Sequence, residues 1–165
     1  MALKTLLLGT RDTIAGTVYG TIVVLSVVTA GAPAFEHGEW NLVVIGAVTV
    51  LVFWLAHVYA HILGESLHHG HRLTRGEVLT VARRELAIPL AAVLPMGAVA
   101  LGALGVLGNT LALWIAVAIG VATLTIEGIR YARLENLSRG GTLVSVGVNL
   151  AFGMALVVLK ATLSH

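Results

Sequence analysis

Long hydrophobic runs alternate with short polar segments along the whole chain. A helix needs roughly 20 mostly apolar residues to cross the hydrocarbon core of a bilayer, and five runs reach about that length. They cover residues 13–32, 41–63, 86–107, 109–126 and 141–159. The pattern therefore predicts an all-α fold, a polytopic bundle of five transmembrane helices that forms a single integral membrane domain over residues 1–165.

Basic residues in the polar segments predict the orientation of the bundle. Nine of the ten Lys and Arg residues fall on one side of the predicted membrane, and Lys160 alone falls on the other. The nine are Lys4, Arg11, Arg72, Arg75, Arg83, Arg84, Arg130, Arg133 and Arg139. Because cytoplasmic loops are enriched in basic residues, the N-terminus is expected in the cytoplasm and the C-terminus outside. The first run is longer than the apolar part of a signal peptide, so we expect it to be retained.

Composition supports a membrane protein and excludes several other classes. Only 11% of the residues are charged, 58% are hydrophobic, and the mean hydropathy is +0.96, whereas soluble domains carry about 25% charged residues. The chain has no cysteine, which excludes disulfides and cysteine catalysis. A net charge of +2 from scattered basic residues does not favour a nucleic-acid partner. Since the sequence has no glycine-rich phosphate loop, Ser/His/Asp set or His-Glu-x-x-His motif, we do not expect an enzyme.

The segment between the second and third hydrophobic runs has signals of its own. Thr74 and Glu77 are spaced as in a capping box, which predicts that a helix begins there and leads into the third run. Pro89 and Pro95 are expected to kink the third transmembrane helix, because proline cannot donate a helical hydrogen bond. The carbonyl of Glu85, four residues before Pro89, would then lack its usual partner.

Polar residues gather on one face of the second predicted helix. At about 100° per residue, five side chains form a single stripe: Trp54, His57, His61, Glu65 and His68. Ionisable residues within a membrane helix usually face protein or water and often mark a transport path. The stripe is open to three interpretations: an ion or proton path, a polar surface that only joins helices, or a metal site. The metal site would use His57, His61 and Glu65, because imidazole and carboxylate groups suit divalent transition metals.

The first predicted helix carries a second surface of small residues. Thr17 and Thr21 lie on one face, beside Gly16 and Gly20 in a Gly-x-x-x-Gly pair. Surfaces of this kind let helices approach closely. This surface therefore predicts packing between subunits, or the lining of a path.

Two polar groups in the last helices also call for partners. Asn149 falls near the centre of the fifth run, where a buried amide needs a hydrogen-bond partner in another helix or subunit. Glu127 and Arg130 are spaced i, i+3 and predict an ion pair near the end of the fourth helix.

Short motifs in this chain resemble those of a known family. The motifs are Arg11 followed by Ala15-Gly16 and the apolar run 22–28, the segment Phe53-Trp54-Leu55-Ala56-His57, and the segment 129–133. Together they resemble the bacterial relatives of the lysosomal potassium channel, over the first four helices. The family's Phe-Ser-Asp triplet is absent, and its subunits have six spans. Only Trp54 and His57 carry over by motif, and the resemblance implies an ion channel in a bacterial membrane.

These observations together predict a membrane transport protein. We expect a small-cation channel or transporter that acts as a homo-oligomer in the plasma (inner) membrane of a bacterium, with the lipid bilayer and the cation as partners. No cofactor is expected other than a divalent transition metal at the stripe on the second helix. The alternatives are a non-conducting membrane scaffold or subunit, and a metal-handling membrane protein.

Overall fold

A computed structural model describes residues 11–35, 40–70 and 73–163, and regular structure in these segments is entirely α-helical. The helices are α1 (Arg11–Phe35), α2 (Asn41–His69), α3 (Arg75–Arg84), α4 (Ala87–Ala103), α5 (Asn109–Leu134) and α6 (Arg139–Leu163). The predicted all-α class is therefore confirmed. Lys4 and Arg72, which entered the orientation argument, lie outside the described residues.

Helix α1 lies at the centre of the bundle and contacts α2, α4, α5 and α6. Its middle is the core of the protein, since Val24, Leu25 and Val28 have no exposed surface. The small residues of its first half allow this position. A Cβ atom added at Gly16 would lie 2.9 Å from Ala87 Cβ, and one added at Gly20 would lie 2.9 Å from Ile88 Cα.

The glycine pair of α1 therefore has a different role from the one expected. The sequence favoured an interface between subunits, but Gly16 and Gly20 face the start of α4 in the same chain. The small residues do pack closely against another helix, but that helix belongs to the same chain.

Within the described residues, three helices are long and apolar enough to cross a membrane: α1 over Thr13–Ala32, α2 over Asn41–His68, and α5 over Asn109–Leu134. Helices α3 and α4 together would form a fourth crossing, bent by 41° at the break between them. The outer surfaces of α4 and α6 expose long apolar side chains such as Leu94 and Leu143, which suits contact with lipid. The membrane location follows from these helices, while the fifth span and the orientation stay predictions.

The break between α3 and α4 is the feature of the fold that positions the site. Helix α3 begins with the predicted capping box, in which Glu77 N donates to Thr74 Oγ1 and Thr74 N donates to Glu77 Oε2 at 2.6 Å. Helix α3 then ends just before Glu85. Pro89 cannot donate to the Glu85 carbonyl, which instead accepts from Ile88 N at 3.1 Å.

The structure thus corrects part of what was predicted for the two prolines. The Glu85 carbonyl, expected to be unpaired, has a partner. The bend that is present lies ahead of Pro89, at the break, whereas α4 continues through Pro95. A proline ring clashes with the carbonyl four residues earlier, which explains why the break falls at Glu85.

Candidate metal centre

Two histidines of α2 and one glutamate at the α3–α4 break converge at one point. His57 Nε2 lies 3.5 Å from Glu85 Oε2, and His61 Nε2 lies 3.6 Å from Glu85 Oε1. One ligand atom from each residue can be chosen so that all three lie within 4.8 Å of one another. These three residues could hold a metal ion, because two imidazoles and a carboxylate are a common ligand set for zinc and neighbouring transition metals.

Helical spacing explains the contribution of α2. Residues four apart lie one above the other on a helix face, so His57 and His61 present their rings to the same neighbour. The His57 and His61 ring centroids are 4.9 Å apart, and the His57 ring stacks on Tyr19 of α1 with centroids 5.2 Å apart. Packing against Tyr19 restricts the rotation of the His57 ring, and ligands held by neighbours in this way are better oriented for a metal.

Glu85 reaches the histidines because the chain changes direction at that residue. Its side chain is 5% exposed, so an ionised carboxylate there needs charged or hydrogen-bonding partners. Sequence reasoning did not identify Glu85 as a site residue. A signal existed: Glu85 is the last carboxylate before the third hydrophobic run.

Glu65, predicted as the third metal ligand, has another partner. Arg84 binds Glu65 Oε1 through Nη2 at 3.1 Å and Glu85 Oε1 through Nε at 3.2 Å. Glu85 therefore takes the place expected for Glu65 in the ligand group. With two carboxylates and one guanidinium, the cluster of Glu65, Arg84 and Glu85 has an excess of one negative charge when the imidazoles are neutral, which favours a cation.

Arg84 also determines which nitrogen of His61 carries the ring proton. Arg84 Nη2 lies 3.3 Å from His61 Nδ1, and because arginine can only donate, a neutral His61 ring must accept at Nδ1. The ring proton is then on Nε2, the atom that faces Glu85. A metal at Nε2 would require that proton to move or leave, so Arg84 and a metal ion compete for this ring.

The site is open on one side. The side chains of His57 and His61 are 33% and 43% exposed. Beside them lies a depression of about 360 Å³, which runs along α2 toward Glu65 and His68. The ligand group is therefore accessible from outside the chain, and an ion held by three residues would keep open coordination positions.

Trp54, which begins the predicted stripe, does not join the ligand group. Its indole Nε1 is buried and has no hydrogen-bond partner among the residues that the structure describes. Since this nitrogen is only a donor, it cannot coordinate a metal.

The remaining predicted site residues lie elsewhere. Thr17 donates to the Thr13 carbonyl at 2.8 Å, and Thr21 donates to the Thr17 carbonyl at 2.7 Å. Thr21 is fully buried in the core, so this face of α1 does not border the open depression. Asn149 is on α6 and donates to the Ser145 carbonyl at 3.1 Å.

Comparisons with protein-family models, with curated proteins and with solved structures find no match to this chain. The resemblance to the potassium channel family therefore stays a prediction. Functional inference rests on the geometry of the chain itself.

Proposed function

We propose that this chain is a membrane transport protein for a small cation, and that the cation is a divalent transition metal. The observation that carries the proposal is the convergence of His57, His61 and Glu85, whose ligand atoms lie within 4.8 Å of one another. A site with three protein ligands and open positions exchanges its ion more readily than a closed four-ligand structural site. Ready exchange is what a transport protein needs.

The surroundings of α2 support transport through a homo-oligomer. Only 22% of the apolar window of α2 is buried, compared with 50% for α1 and 44% for α5. Ionisable side chains exposed on such a helix are costly if they face lipid, so His57, His61 and Glu65 should face water or a second copy of the chain. We propose that α2 helices from neighbouring copies border the ion path.

A membrane scaffold is the second candidate, and one observation favours it. Arg84 pairs with Glu65 and Glu85 at 3.1 and 3.2 Å, so the two carboxylates already have a cationic partner. In this case the cluster joins α2 to the α3–α4 break, and the chain binds no ion there.

Purified protein in liposomes that contain a metal-sensitive fluorophore tests these candidates. Zn²⁺, Mn²⁺, Co²⁺ and Ni²⁺ are added outside, with K⁺ and Na⁺ flux measured in parallel. We expect uptake of at least one divalent ion. His57→Ala, His61→Ala and Glu85→Gln should each reduce it on the order of tenfold or more, since each removes one ligand. Glu77→Gln is the matched control for Glu85→Gln and should retain wild-type uptake, because Glu77 is exposed on α3, outside both the ligand group and the depression.

Other results would reject the assignment. Flux of K⁺ with no divalent uptake would favour the channel resemblance and remove the metal from the proposal. Absence of any flux, together with lower thermal stability of Glu85→Gln, would favour the scaffold.

A further inference from the structure

A larger cavity lies between α1, α5 and α6, separate from the histidine ligand group. Its volume is about 650 Å³, within the roughly 300–1,000 Å³ typical of small-molecule sites. One wall is the apolar face of α1, formed by Ile14, Val18 and Ile22, and the opposite wall carries Glu127 and Asn149. The cavity is therefore amphipathic, with an apolar side and a polar side.

Glu127 has one carboxylate oxygen without a hydrogen-bond donor among the described residues. Its side chain is 4% exposed, and its Oε1 atom accepts from Arg130, as the i, i+3 spacing predicted. The Oε2 atom is buried and accepts no hydrogen bond in the described part of the chain. A buried carboxylate oxygen without a donor is unfavourable, so a donor supplied from outside the chain would be bound favourably there.

The other polar residues of the cavity restrict what that donor can be. Glu135 also lines the cavity, so an anionic ligand would meet two carboxylates. The rings of Tyr19 and Tyr131 belong to the same lining, and aromatic rings attract cations. A ligand that matches all three features has a cationic N–H donor and an apolar body.

We propose that this cavity binds a primary ammonium group carried on an apolar chain, with an ammonium N–H donating to the Glu127 carboxylate. The apolar chain would lie against Ile14, Val18 and Ile22. Two sources share this chemistry, a free amphiphilic amine and an aminophospholipid with its ethanolamine headgroup. Tyr19 lies between the two sites, since its ring also stacks on His57, but the proposal does not depend on the proposed transport function.

Calorimetric titration of the full chain in mild detergent tests the proposal with n-decylammonium as the probe. n-Decyltrimethylammonium has the charge but no N–H donor, and n-decanol has the apolar chain but no charge. We expect saturable binding of n-decylammonium, with affinity about tenfold or more above both control compounds, because n-decyltrimethylammonium has no N–H to donate and n-decanol has no charge to pair with the carboxylate.

Two variants locate the site. Glu127→Gln should lower n-decylammonium affinity about tenfold by removing the carboxylate charge, whereas Glu77→Gln, the same change on the exposed face of α3, should leave affinity unchanged. Ala15→Phe places a ring in the cavity from α1 and should abolish binding while leaving the Glu127 side chain intact. It keeps the test valid if Glu127→Gln does not fold.

Competition in nanodiscs distinguishes the two sources. If phosphatidylethanolamine nanodiscs weaken n-decylammonium binding relative to phosphatidylcholine nanodiscs, the proposal holds with a lipid as the source. If the two nanodiscs behave alike and the probe binds in both, it holds with a free amine. Equal affinity for all three decyl compounds, or full binding by Ala15→Phe, would overturn it.

Discussion

Arg84 is the residue whose position most directly opposes metal binding. Its guanidinium contacts Glu65, Glu85 and His61 at 3.1–3.3 Å, so it lies where a cation would experience strong repulsion. It also supplies charge compensation to the buried Glu85 carboxylate. Arg84 should thus stabilise the metal-free protein and weaken its affinity for metal.

Replacing Arg84 separates these two effects. We expect Arg84→Met to raise metal affinity on the order of tenfold, because a repulsive charge is removed, and to lower the thermal stability of the metal-free protein. Arg75→Met, an exposed change on the same helix, should do neither. Metal titration followed by calorimetry and by thermal unfolding measures both quantities, and weaker metal binding by Arg84→Met would contradict the competition.

Trp54 gives a second prediction at the residue scale. Its buried indole N–H has no partner in the described part of the chain, so Trp54→Phe removes an unsatisfied donor while keeping an aromatic ring. We expect the free energy of unfolding to change by about 1 kcal/mol or less, with metal uptake unchanged. A large change in ion flux with unchanged stability would instead support a place for Trp54 on the ion path.

The site shows what a single sequence can reveal about individual residues. His57 and His61 were found because both ligands lie on one helix, where the spacing alone determines the common face. Glu85 was missed because its contact with them depends on how two helices dock. Glu65 has the helical spacing expected of a third ligand, but Arg84 of α3 binds it. A contact between two helices cannot be predicted from a local sequence pattern.

At the scale of helices, the contact of α1 with α4 depends on glycine. A Cβ atom at Gly20 would meet the Ile88 backbone, with 2.9 Å to its Cα, and backbone cannot move aside as a flexible side chain can. We expect Gly20→Ala to destabilise the bundle by about 1–3 kcal/mol.

Gly97→Ala on α4 is the matched control for this change. A Cβ atom at Gly97 would have no neighbour within 4 Å, so this variant should be unchanged or more stable by about 0.5–1 kcal/mol, the usual gain for alanine in a helix. Denaturation in detergent compares the two variants. If Gly20→Ala unfolded like the wild type but altered oligomer size, the original expectation of a subunit interface would be restored.

Helices were predictable to the extent that their signals are local. The capping box at Thr74 was predicted correctly, and the apolar runs were recognised as helical, because both signals depend on neighbouring residues. The apolar run of the fourth predicted helix ends at residue 126, whereas the helix that contains it continues to Leu134 and carries the predicted ion pair of Glu127 and Arg130 in its last turns. Their ion pair, with Glu127 buried, lets the helix continue beyond the apolar run.

For the whole molecule, the orientation in the membrane is the main prediction still to be measured. The chain has no cysteine, so introduced cysteines can be labelled without background. We expect Arg75→Cys and Arg139→Cys to react with an impermeant thiol reagent from the cytoplasmic side, and Val106→Cys to react from the outside. Labelling of Val106→Cys and Arg75→Cys from the same side would contradict the predicted topology.

The membrane bundle itself was predictable because only long apolar helices can cross a bilayer in an all-α protein, and the length of each apolar run can be counted in the sequence. Which helix lies at the centre was not predictable in the same way. Helix α1 occupies that position through the fit of Gly16 and Gly20 against α4, a property of shape that hydropathy does not contain.

The low burial of α2 has a consequence for how readily this helix detaches from the rest of the bundle. Segments with few buried contacts undergo local unfolding most readily, so amide hydrogens of α2 should exchange with deuterium faster than those of α1. An ion that bridges His57, His61 and Glu85 would tie α2 to the start of α4. Above its dissociation constant, each tenfold rise in free ion would then add about 1.4 kcal/mol to the cost of detaching α2. Mass-spectrometric exchange over residues 54–69 should therefore slow in proportion to metal concentration, so that docking of this helix responds to the ion.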